Sequence, residues 1–253
     1  MVITSASNSL YKHIKSLQDK KYRKKYGEYT VEGIKSVHDA LNSNREVKTI
    51  VRAESYECNF RYSNNAEIIV FADTLFEKLC DTQSPQGIMA VIKMPDKKEF
   101  IPNKSKAYIY CDGVNDPGNL GTIIRTADAA GFGGVLLSKG TVDLYSPKTV
   151  RASMGSFFNI DVITDFDVEF LKKCRDDGFK LYCGALGENT IDYKKAYMKN
   201  PSIIIVGNEA NGVSKEVQKI SQCVKIPILG KAESLNVSIA AAILMYELVS
   251  QRT

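Results

Sequence analysis

The sequence predicts an α/β protein in which a parallel-sheet domain follows a smaller α/β domain. From residue 107 onward, short apolar runs alternate with segments of helical periodicity, and continuous hydrophobicity is typical of strands that a parallel sheet buries on both faces. Before residue 94, helical and extended signals also alternate. A charged stretch with two prolines separates the two parts. We therefore assign residues 1–94 to a first domain, 95–106 to a linker and 107–253 to a second domain.

Apolar runs between turn residues locate the individual elements. The first domain begins with one or two helices over residues 10–26, which Gly27 ends, and has a further helix over 34–41. Its predicted strands are residues 29–32, 47–51, 68–71 and 88–92. Those of the second domain are residues 108–111, 134–137, 160–163, 180–183, 203–206 and 224–226. A final helix over 237–249 is apolar nearly all round, so we expect it to be buried.

The net charge of +5 is concentrated near the N-terminus. Residues 12–25 contain one acid, Asp19, and seven basic residues, namely Lys12, Lys15, Lys20, Lys21, Arg23, Lys24 and Lys25. Tyr11, Tyr22 and Tyr26 are interleaved with them, a combination that suits phosphate contacts and base stacking in RNA binding. A solvated helix face is the alternative, because most charge runs have no further role.

Several classes of protein are disfavoured by composition. No apolar run approaches the roughly 18 residues of a membrane span, and the N-terminus lacks an apolar signal core, so we expect a cytoplasmic protein. The six cysteines form no C-x-x-C pair, which favours free and mostly buried thiols. Only two histidines are present. We therefore expect no metal site.

The second domain contains no histidine, because His13 and His38 both precede the linker. Histidine-based acid–base chemistry is thereby excluded from it. It also has neither a G-x-x-x-x-G-K-[ST] loop nor a G-x-G-x-x-G sequence after a strand. Displacement at a sulfonium methyl fits this composition, because the leaving group departs neutral and the main requirement is positioning.

The first of three candidate functional segments is NDPGNLGTIIRTADAAG, residues 115–131. Asn119 is placed to cap the helix that follows. Leu120, Ile123 and Ala127 recur at helical spacing and predict its buried face. Arg125 points away from that face, at the carboxyl edge of the sheet, where it could grip a phosphate. A solvated surface arginine is the alternative.

The other two segments follow later strands. In IIIVGNEANGVS, residues 203–214, a buried strand breaks at Gly207 into a turn that carries Glu209. Such a turn lets backbone groups approach a ligand closely. In KIPILGKAESLNVSIAAAILMYEL, residues 225–248, Ser234 and Asn236 precede the apolar helix. One of them is its predicted N-cap, and the other needs a different explanation.

Together these three segments resemble the motifs of the SpoU/TrmH family of the SPOUT methyltransferase superfamily, complete and in order. The first domain is similar to that family's substrate-binding domain, with TVEG at 30–33 and TQSPQGIMAVI at 82–92 as weaker marks. The resemblance implies an RNA 2′-O-ribose methyltransferase with a deep C-terminal trefoil knot, a rare exception to unknotted chains. It also implies a homodimer with its sites near the two-fold interface.

The resemblance further implies S-adenosylmethionine as cofactor, held mainly by backbone atoms of the knot loops at Gly207, Ile226 and Leu235. The family's catalytic polar set falls on Asn119, Arg125, Glu209, Ser234 and Asn236. The family proposal makes the arginine a base. A pKa above roughly 12 makes that role difficult, so we favour an arginine that clamps the phosphate and polarises the hydroxyl. Glu209 and Asn119 are expected to orient it, and Ser234 and Asn236 to shape the knot loops and ribose pocket.

Three alternatives remain for the function. Ribosomal RNA is favoured over transfer RNA as substrate, because the extra domain resembles those of family members that act on rRNA. A non-catalytic RNA-binding protein with the same fold would not need the whole polar set. A small-molecule methyltransferase would leave the basic N-terminal segment unexplained.

Overall fold

The computed structural model describes residues 2–57, 66–96, 99–187 and 189–251. The chain divides into two compact units. The first comprises Met1–Lys98 together with Asp143–Phe158, and the second comprises Glu99–Val142 and Asn159–Thr253.

In the described part of the first unit, the strands are β1 (Val2–Ile3), β2 (Glu28–Glu32), β3 (Val47–Ala53), β4 (Glu67–Phe71) and β5 (Ile88–Lys93). They form a mixed five-stranded sheet in the order β1-β4-β3-β5-β2. β5 is antiparallel to both β2 and β3, and β4 is parallel to β1 and β3. The helices are α1 (Ser9–Ser16), α2 (Lys20–Tyr26), α3 (Ile34–Leu41), α4 (Asp73–Leu79) and α6 (Pro147–Ala152). The sequence prediction included neither β1, α4 nor α6.

Side-chain caps fix where the first two helices begin and end. The Asn8 side chain accepts a hydrogen bond from the Leu10 amide at 2.8 Å, and Asp19 accepts one from the Lys21 amide at 2.8 Å. Gly27 ends α2 in the left-handed conformation, with φ of 65°. The predicted helical segment over residues 10–26 is therefore two helices, because Asp19 starts a second one.

The segment Asp143–Phe158 packs into the first unit, although its sequence position lies within the predicted second domain. The Tyr29 ring lies 4.9 Å from that of Tyr145 and 5.8 Å from that of Phe157. The Arg23 guanidinium, only 3% exposed as a residue, donates to an Asp143 carboxylate oxygen from Nε at 3.1 Å. It also donates to two backbone carbonyls of the first unit, each at 2.7 Å.

In the described part of the second unit, one sheet contains seven strands, namely β6 (Ala107–Asp112), β7 (Gly134–Ser138), β8 (Val162–Phe166), β9 (Lys180–Gly184), β10 (Ile191–Asp192), β11 (Ser202–Gly207) and β12 (Gln222–Lys225). Their order is β10-β12-β9-β11-β6-β7-β8, and neighbouring strands are parallel throughout. The predicted parallel sheet is thus confirmed. The helices are α5 (Pro117–Ala129), α7 (Val168–Asp176), α8 (Lys215–Ile220) and α9 (Val237–Ser250).

Two strands have bounds that differ from the predicted ones by about two residues and include more polar residues than predicted. β8 begins at Val162, which pairs with Val135, and the apolar Ile160 is buried just before the strand. β12 starts at the exposed Gln222, and Ile226 lies beyond its end. Both strands lie near the edges of the sheet, where burial is one-sided and apolar residues no longer mark the strand bounds.

The expectation that the last helix is fully buried is wrong. Helix α9 packs against α5 and β11 through a buried face that includes Ala241, Leu244 and Leu248. On the other side, Ile239 is 51% and Tyr246 50% exposed. Helix α9 therefore has one buried and one exposed face, although its composition is apolar on both.

Among the described residues, none of the helices has the length and apolar character that a membrane span requires.

The burial of Arg23 leads to a prediction about the free energy of unfolding. Arg23→Met removes the guanidinium and leaves the Asp143 carboxylate and two carbonyls without their donor, so the free energy of unfolding should fall by about 3 kcal/mol. The matched control is Lys24→Met on the same helix, where the side chain is exposed, and it should change that energy by less than about 0.5 kcal/mol. Urea unfolding followed by circular dichroism measures both. Equal stabilities for the two variants would contradict a structural role for Arg23.

Candidate active site

The candidate site lies at the carboxyl edge of the second unit's sheet, where β6 and β11 end side by side. Asp112 and Gly207 are register partners at those ends. From β6 the chain continues to β7 and β8 on one side, and later to β9, β11 and β12 on the other. The strand order therefore reverses between β6 and β11, which is where open α/β sheets bind ligands.

The loop after β6 leads into α5, whose N-cap is Asp116. Its carboxylate accepts a hydrogen bond from the Asn119 amide at 2.8 Å, and Pro117 occupies the first helical position. The prediction that Asn119 caps this helix is therefore wrong. Because the cap lies three residues earlier, the Asn119 side chain is available for other contacts.

The Glu209 carboxylate, in the loop after β11, binds the start of α5. One oxygen accepts from the Asn115 amide at 3.0 Å. The other accepts from the Asp116 amide at 3.1 Å and from Asn119 Nδ2 at 2.9 Å. A helix N-terminus favours a negative charge of this kind. The loop that carries Glu209 is thereby fixed to α5.

The pKa of Glu209 lies below its usual value. Partial burial acts to raise this pKa, but the hydrogen bonds that the carboxylate accepts, led by that from the Asn119 side chain, lower it by more. The carboxylate is therefore ionised at neutral pH. Both of its oxygens are already used as acceptors, so Glu209 is placed to hold structure rather than to move a proton.

Asn236 extends this arrangement to the third segment. Its Nδ2 donates to Asn119 Oδ1 at 2.9 Å. Its own Oδ1 accepts from the amide and hydroxyl of Ser238, at 2.9 and 2.7 Å, at the start of α9. Asn236 is thus the N-cap of α9, one of the two candidates that the sequence offered. We name the chain Glu209–Asn119–Asn236 the amide relay.

The structure does not connect Arg125 or Ser234 to the amide relay. Both side chains are exposed, and neither forms a hydrogen bond or ion pair with any other residue in the described ranges. The expectation that Glu209 and Asn119 orient Arg125 is therefore wrong for this chain. Their polar atoms are committed to each other, to the start of α5 and to Asn236.

Gly207 is required by the loop's own backbone. A Cβ atom at this position would overlap the backbone of Gly212 and Val213. The close approach arises because Asn208 and Gly212 form a bridge with backbone hydrogen bonds of 3.0 and 2.8 Å. The sequence-based reason for this glycine, close approach of a ligand, is thus not needed to explain it.

Sequence reasoning missed two residues that support the site. The Asn208 side chain donates to the Gly113 carbonyl at 2.9 Å and so joins the loops after β6 and β11. Asp112 accepts from the Ser214 amide at 2.8 Å at the end of the same loop. Asn208 lies in a segment that the sequence singled out, but only the strand order shows which loop it contacts.

The loop between β12 and α9 contains the other two predicted cofactor contacts. Ile226 is half-buried and Leu235 is exposed. Among the described residues, the backbone of residues 227–235 makes no hydrogen bond to another residue. This loop leaves β12 at the carboxyl edge and reaches Asn119 through Asn236. Its unpaired backbone groups and exposed apolar side chains suit an adenine ring held by main-chain contacts.

Packing in the first unit leaves some side chains of the predicted RNA-binding segment exposed and buries others. Lys12, Lys20, Lys21, Lys24 and Lys25 are exposed. The inclusion of Arg23 is wrong, because that side chain is buried with Asp143. Lys15 is half-buried and donates to the Lys78 carbonyl.

The aromatic part of the prediction needs a similar correction. Tyr11 is buried in the core against Phe71, with ring centroids 5.9 Å apart, so it cannot stack on a base. Tyr22 is half-buried and Tyr26 is exposed.

No group of three or more potential metal ligands occurs within the described ranges.

Comparisons with known proteins agree over both parts of the chain. The SpoU rRNA Methylase family matches residues 106–246, and the MRM3-like substrate binding domain matches residues 8–90. The 23S rRNA (guanosine(2553)-2′-O)-methyltransferase RlmP of Bacillus subtilis is 37% identical over 247 residues, which are 97% of this chain and 98% of the relative.

Solved structures resemble the whole chain. The AdoMet-bound rRNA methyltransferase from Sinorhizobium meliloti has a TM-score of 0.89 at 30% identity, covering 100% of this chain and 98% of that chain. The AdoMet complex of the SpoU methyltransferase AviRb from Streptomyces viridochromogenes has a TM-score of 0.87 at 27% identity, covering 97% and 98%. The α/β fold with polar loops at its carboxyl edge is thus that of methyltransferases.

More narrowly, the chain belongs to the SpoU rRNA methylase family, as the three sequence motifs indicated.

The backbone contact at Gly207 makes a prediction that needs no ligand. Gly207→Ala should separate the two sides of the Asn208–Gly212 bridge and lower the free energy of unfolding by about 1–3 kcal/mol, the range for overpacked sites. Gly230→Ala is the matched control, because a Cβ there would meet nothing within 4 Å. Thermal and urea unfolding without cofactor measure both variants. A Gly207→Ala protein as stable as the parent would restore a ligand as the reason for this glycine.

Proposed function

We propose that the protein transfers a methyl group from S-adenosylmethionine to a ribose 2′-hydroxyl of ribosomal RNA. The observation that carries this proposal is the amide relay, which joins the loops after β6 and β11 to the start of α9 at the sheet's switch point. Relatives that align over most of the chain are named for 2′-O-methylation of 23S rRNA, which favours ribosomal over transfer RNA as the substrate.

The cofactor supplies an electrophilic methyl group on a sulfonium whose leaving group departs neutral. Gly207, Ile226 and Leu235 would hold it, with the main chain of the loop between β12 and α9 providing hydrogen bonds. The amide relay keeps that loop against α5 through Asn236. Binding would therefore occur on a preorganised surface, which reduces the cost of ordering the loop.

Arg125 is proposed to clamp the substrate phosphate and polarise the 2′-hydroxyl. It is exposed and has no carboxylate partner within the described residues, so its guanidinium fork is available to an incoming phosphate. Ser234, exposed beside Asn236, is proposed to contact the ribose. No histidine lies in this unit to accept the hydroxyl proton, so we propose that the proton passes to solvent.

We further propose that the loops containing Gly207 and residues 226–236 form the family's trefoil knot. β12 is separated from β6 by β9 and β11, yet α9 packs against α5, which follows β6. The chain after β12 must therefore return across the ends of two strands. Asn236 binds Asn119 at the end of that return, a course that supports threading.

A second copy of the chain is the proposed partner of helix α9. Ile239 and Tyr246 leave half of their surface exposed on a helix that is otherwise packed. Covering apolar side chains of this kind is the usual driving force for a homodimer. The proposal places the dimer interface next to α5 and therefore close to the site.

The first unit is the proposed RNA-binding part. We assign residues 1–94 to substrate binding, 95–106 to a linker and 107–253 to catalysis, except for Asp143–Phe158, which packs into the first unit. The match to an MRM3-like substrate binding domain over residues 8–90 supports this division, as do the exposed lysines at positions 12, 20, 21, 24 and 25.

Methyl transfer from labelled cofactor to ribosomal RNA from cells lacking the protein, followed by mapping of 2′-O-methyl positions, tests the proposed activity. Label on a base, or on no RNA, would overturn it.

The clamp role makes a prediction for Arg125. Arg125→Ala should reduce the single-turnover rate by about 100-fold or more, because substrate positioning is lost, while cofactor affinity stays nearly unchanged. Arg125→Lys should keep partial activity, with a rate that is level above neutral pH. A base at this position predicts a rate that climbs toward the lysine pKa of roughly 10.

The pH–rate profile of Arg125→Lys on RNA fragments decides between the two roles. Arg175→Ala is the matched control, because Arg175 is an exposed arginine on α7 of the same unit. A parental rate for Arg125→Ala would remove Arg125 from the site.

The RNA-binding role makes a prediction for α2. Replacing Lys20, Lys21, Lys24 and Lys25 by Gln, with Arg23 retained, should weaken RNA binding. The slope of log affinity against log salt should decrease by up to about 3. The matched control replaces four exposed lysines of the second unit, Lys173, Lys180, Lys194 and Lys219. Filter binding at several salt concentrations measures the slopes. Equal slopes for the α2 variant and the parent would make α2 a solvated surface.

A further inference from the structure

We propose that Tyr22 and Tyr26 form a stacking platform for an unpaired RNA base, so that the first unit recognises single-stranded or loop nucleotides. This inference rests on the proposed function, because it specifies the form of RNA that the basic segment binds. The side chains that carry it are those of α2 and the residues that support Tyr26.

The two tyrosines present their rings in nearly the same orientation. They lie four residues apart on α2, on one side of the helix. Their ring centroids are 6.2 Å apart and their planes differ by 15°. Tyr26 is 40% exposed. A tyrosine left at the surface with a parallel neighbour offers an aromatic face, on which any unpaired base can stack.

Tyr26 is held in place by a polar cluster centred on the buried Glu28. The His13 ring meets it edge-on, with centroids 4.6 Å apart and planes at 69°. His13 Nε2 lies 2.7 Å from a Glu28 carboxylate oxygen, and Lys48 pairs with the other oxygen. Glu28 is buried. The platform is therefore fixed before RNA arrives, which lowers the entropy cost of stacking.

Two lysine ammonium groups lie over these rings, on exposed side chains that a stacking base would displace toward its own phosphates. Lys21 Nζ is 5.8 Å from the Tyr22 centroid, and Lys25 Nζ is 5.1 Å from the Tyr26 centroid. Lys20 and Lys24 are exposed on the same short helix. A polyanion with accessible π faces matches both features. A duplex hides its base faces, and an acidic peptide would use the charges without the rings.

The test compares probes that share phosphates and differ in bases. Fluorescein-labelled rA12, an abasic ribose-phosphate 12-mer and an rA12–rU12 duplex are titrated with the full chain, without cofactor, by anisotropy at fixed salt. The parent should bind rA12 at least about fivefold more tightly than the abasic strand. Tyr26→Leu should lose that preference while keeping its affinity for the abasic strand. Tyr26→Phe should retain it, because the ring remains.

Tyr197→Leu is the matched control. Tyr197 is 68% exposed in the second unit, and Lys199 Nζ lies 4.2 Å from its ring centroid, so it has the same local pairing outside the basic segment. The control should keep the parental preference. Circular dichroism melting shows whether Tyr26→Leu remains folded.

The platform would be overturned by equal binding of rA12 and the abasic strand by the parent, by tighter binding of the duplex, or by an equal loss for both strands in Tyr26→Leu. The proposed function fails differently, since absent methyl transfer leaves this binding pattern intact. A parent that binds none of the probes overturns the platform and RNA binding by the first unit together.

Discussion

The binding of the Glu209 carboxylate by the Asn115 and Asp116 amides, just before α5, is the interaction on which the rest of the site depends. It brings the loop after β11 onto the helix that follows β6. It also sets the orientation of the Asn119 amide, because a carboxylate oxygen can only accept and so selects Nδ2. That leaves Asn119 Oδ1 for Asn236, the cap of α9. One ionised group therefore fixes three loops.

This arrangement separates the rigid part of the site from the side chains that we propose meet a substrate. The three members of the amide relay have their polar atoms committed to the protein. Arg125 and Ser234 do not, within the described ranges. A displacement reaction needs mainly positioning, and a rigid frame with an uncommitted guanidinium can provide it without histidine. The lowered pKa of Glu209 fits the same division, since the frame keeps its charge at neutral pH.

Much of the second unit could be predicted from sequence, because the central strands are continuous apolar runs and the polar residues after them stand out. The N-cap of α5 could not be predicted, because Asp116 and Asn119 are three residues apart and both are good N-cap residues. Only the contact of the Asn119 side chain with Glu209 shows that Asp116 is the cap. The burial of Arg23 could not be predicted either, because its partner Asp143 lies 120 residues later in the chain. In α9, apolar composition did not reveal which face the protein leaves exposed.

The central claim is that Glu209 and Asn236 act through Asn119 as one unit. A double-mutant cycle with Glu209→Ala and Asn236→Ala, measured on the single-turnover rate of methyl transfer, tests it most directly. The two residues do not contact each other, so independent roles predict additive free energies, within about 0.3 kcal/mol. The amide relay predicts a coupling of at least about 0.5 kcal/mol, because loss of Glu209 already lets Asn119 turn away from Asn236. Additive losses would contradict the account.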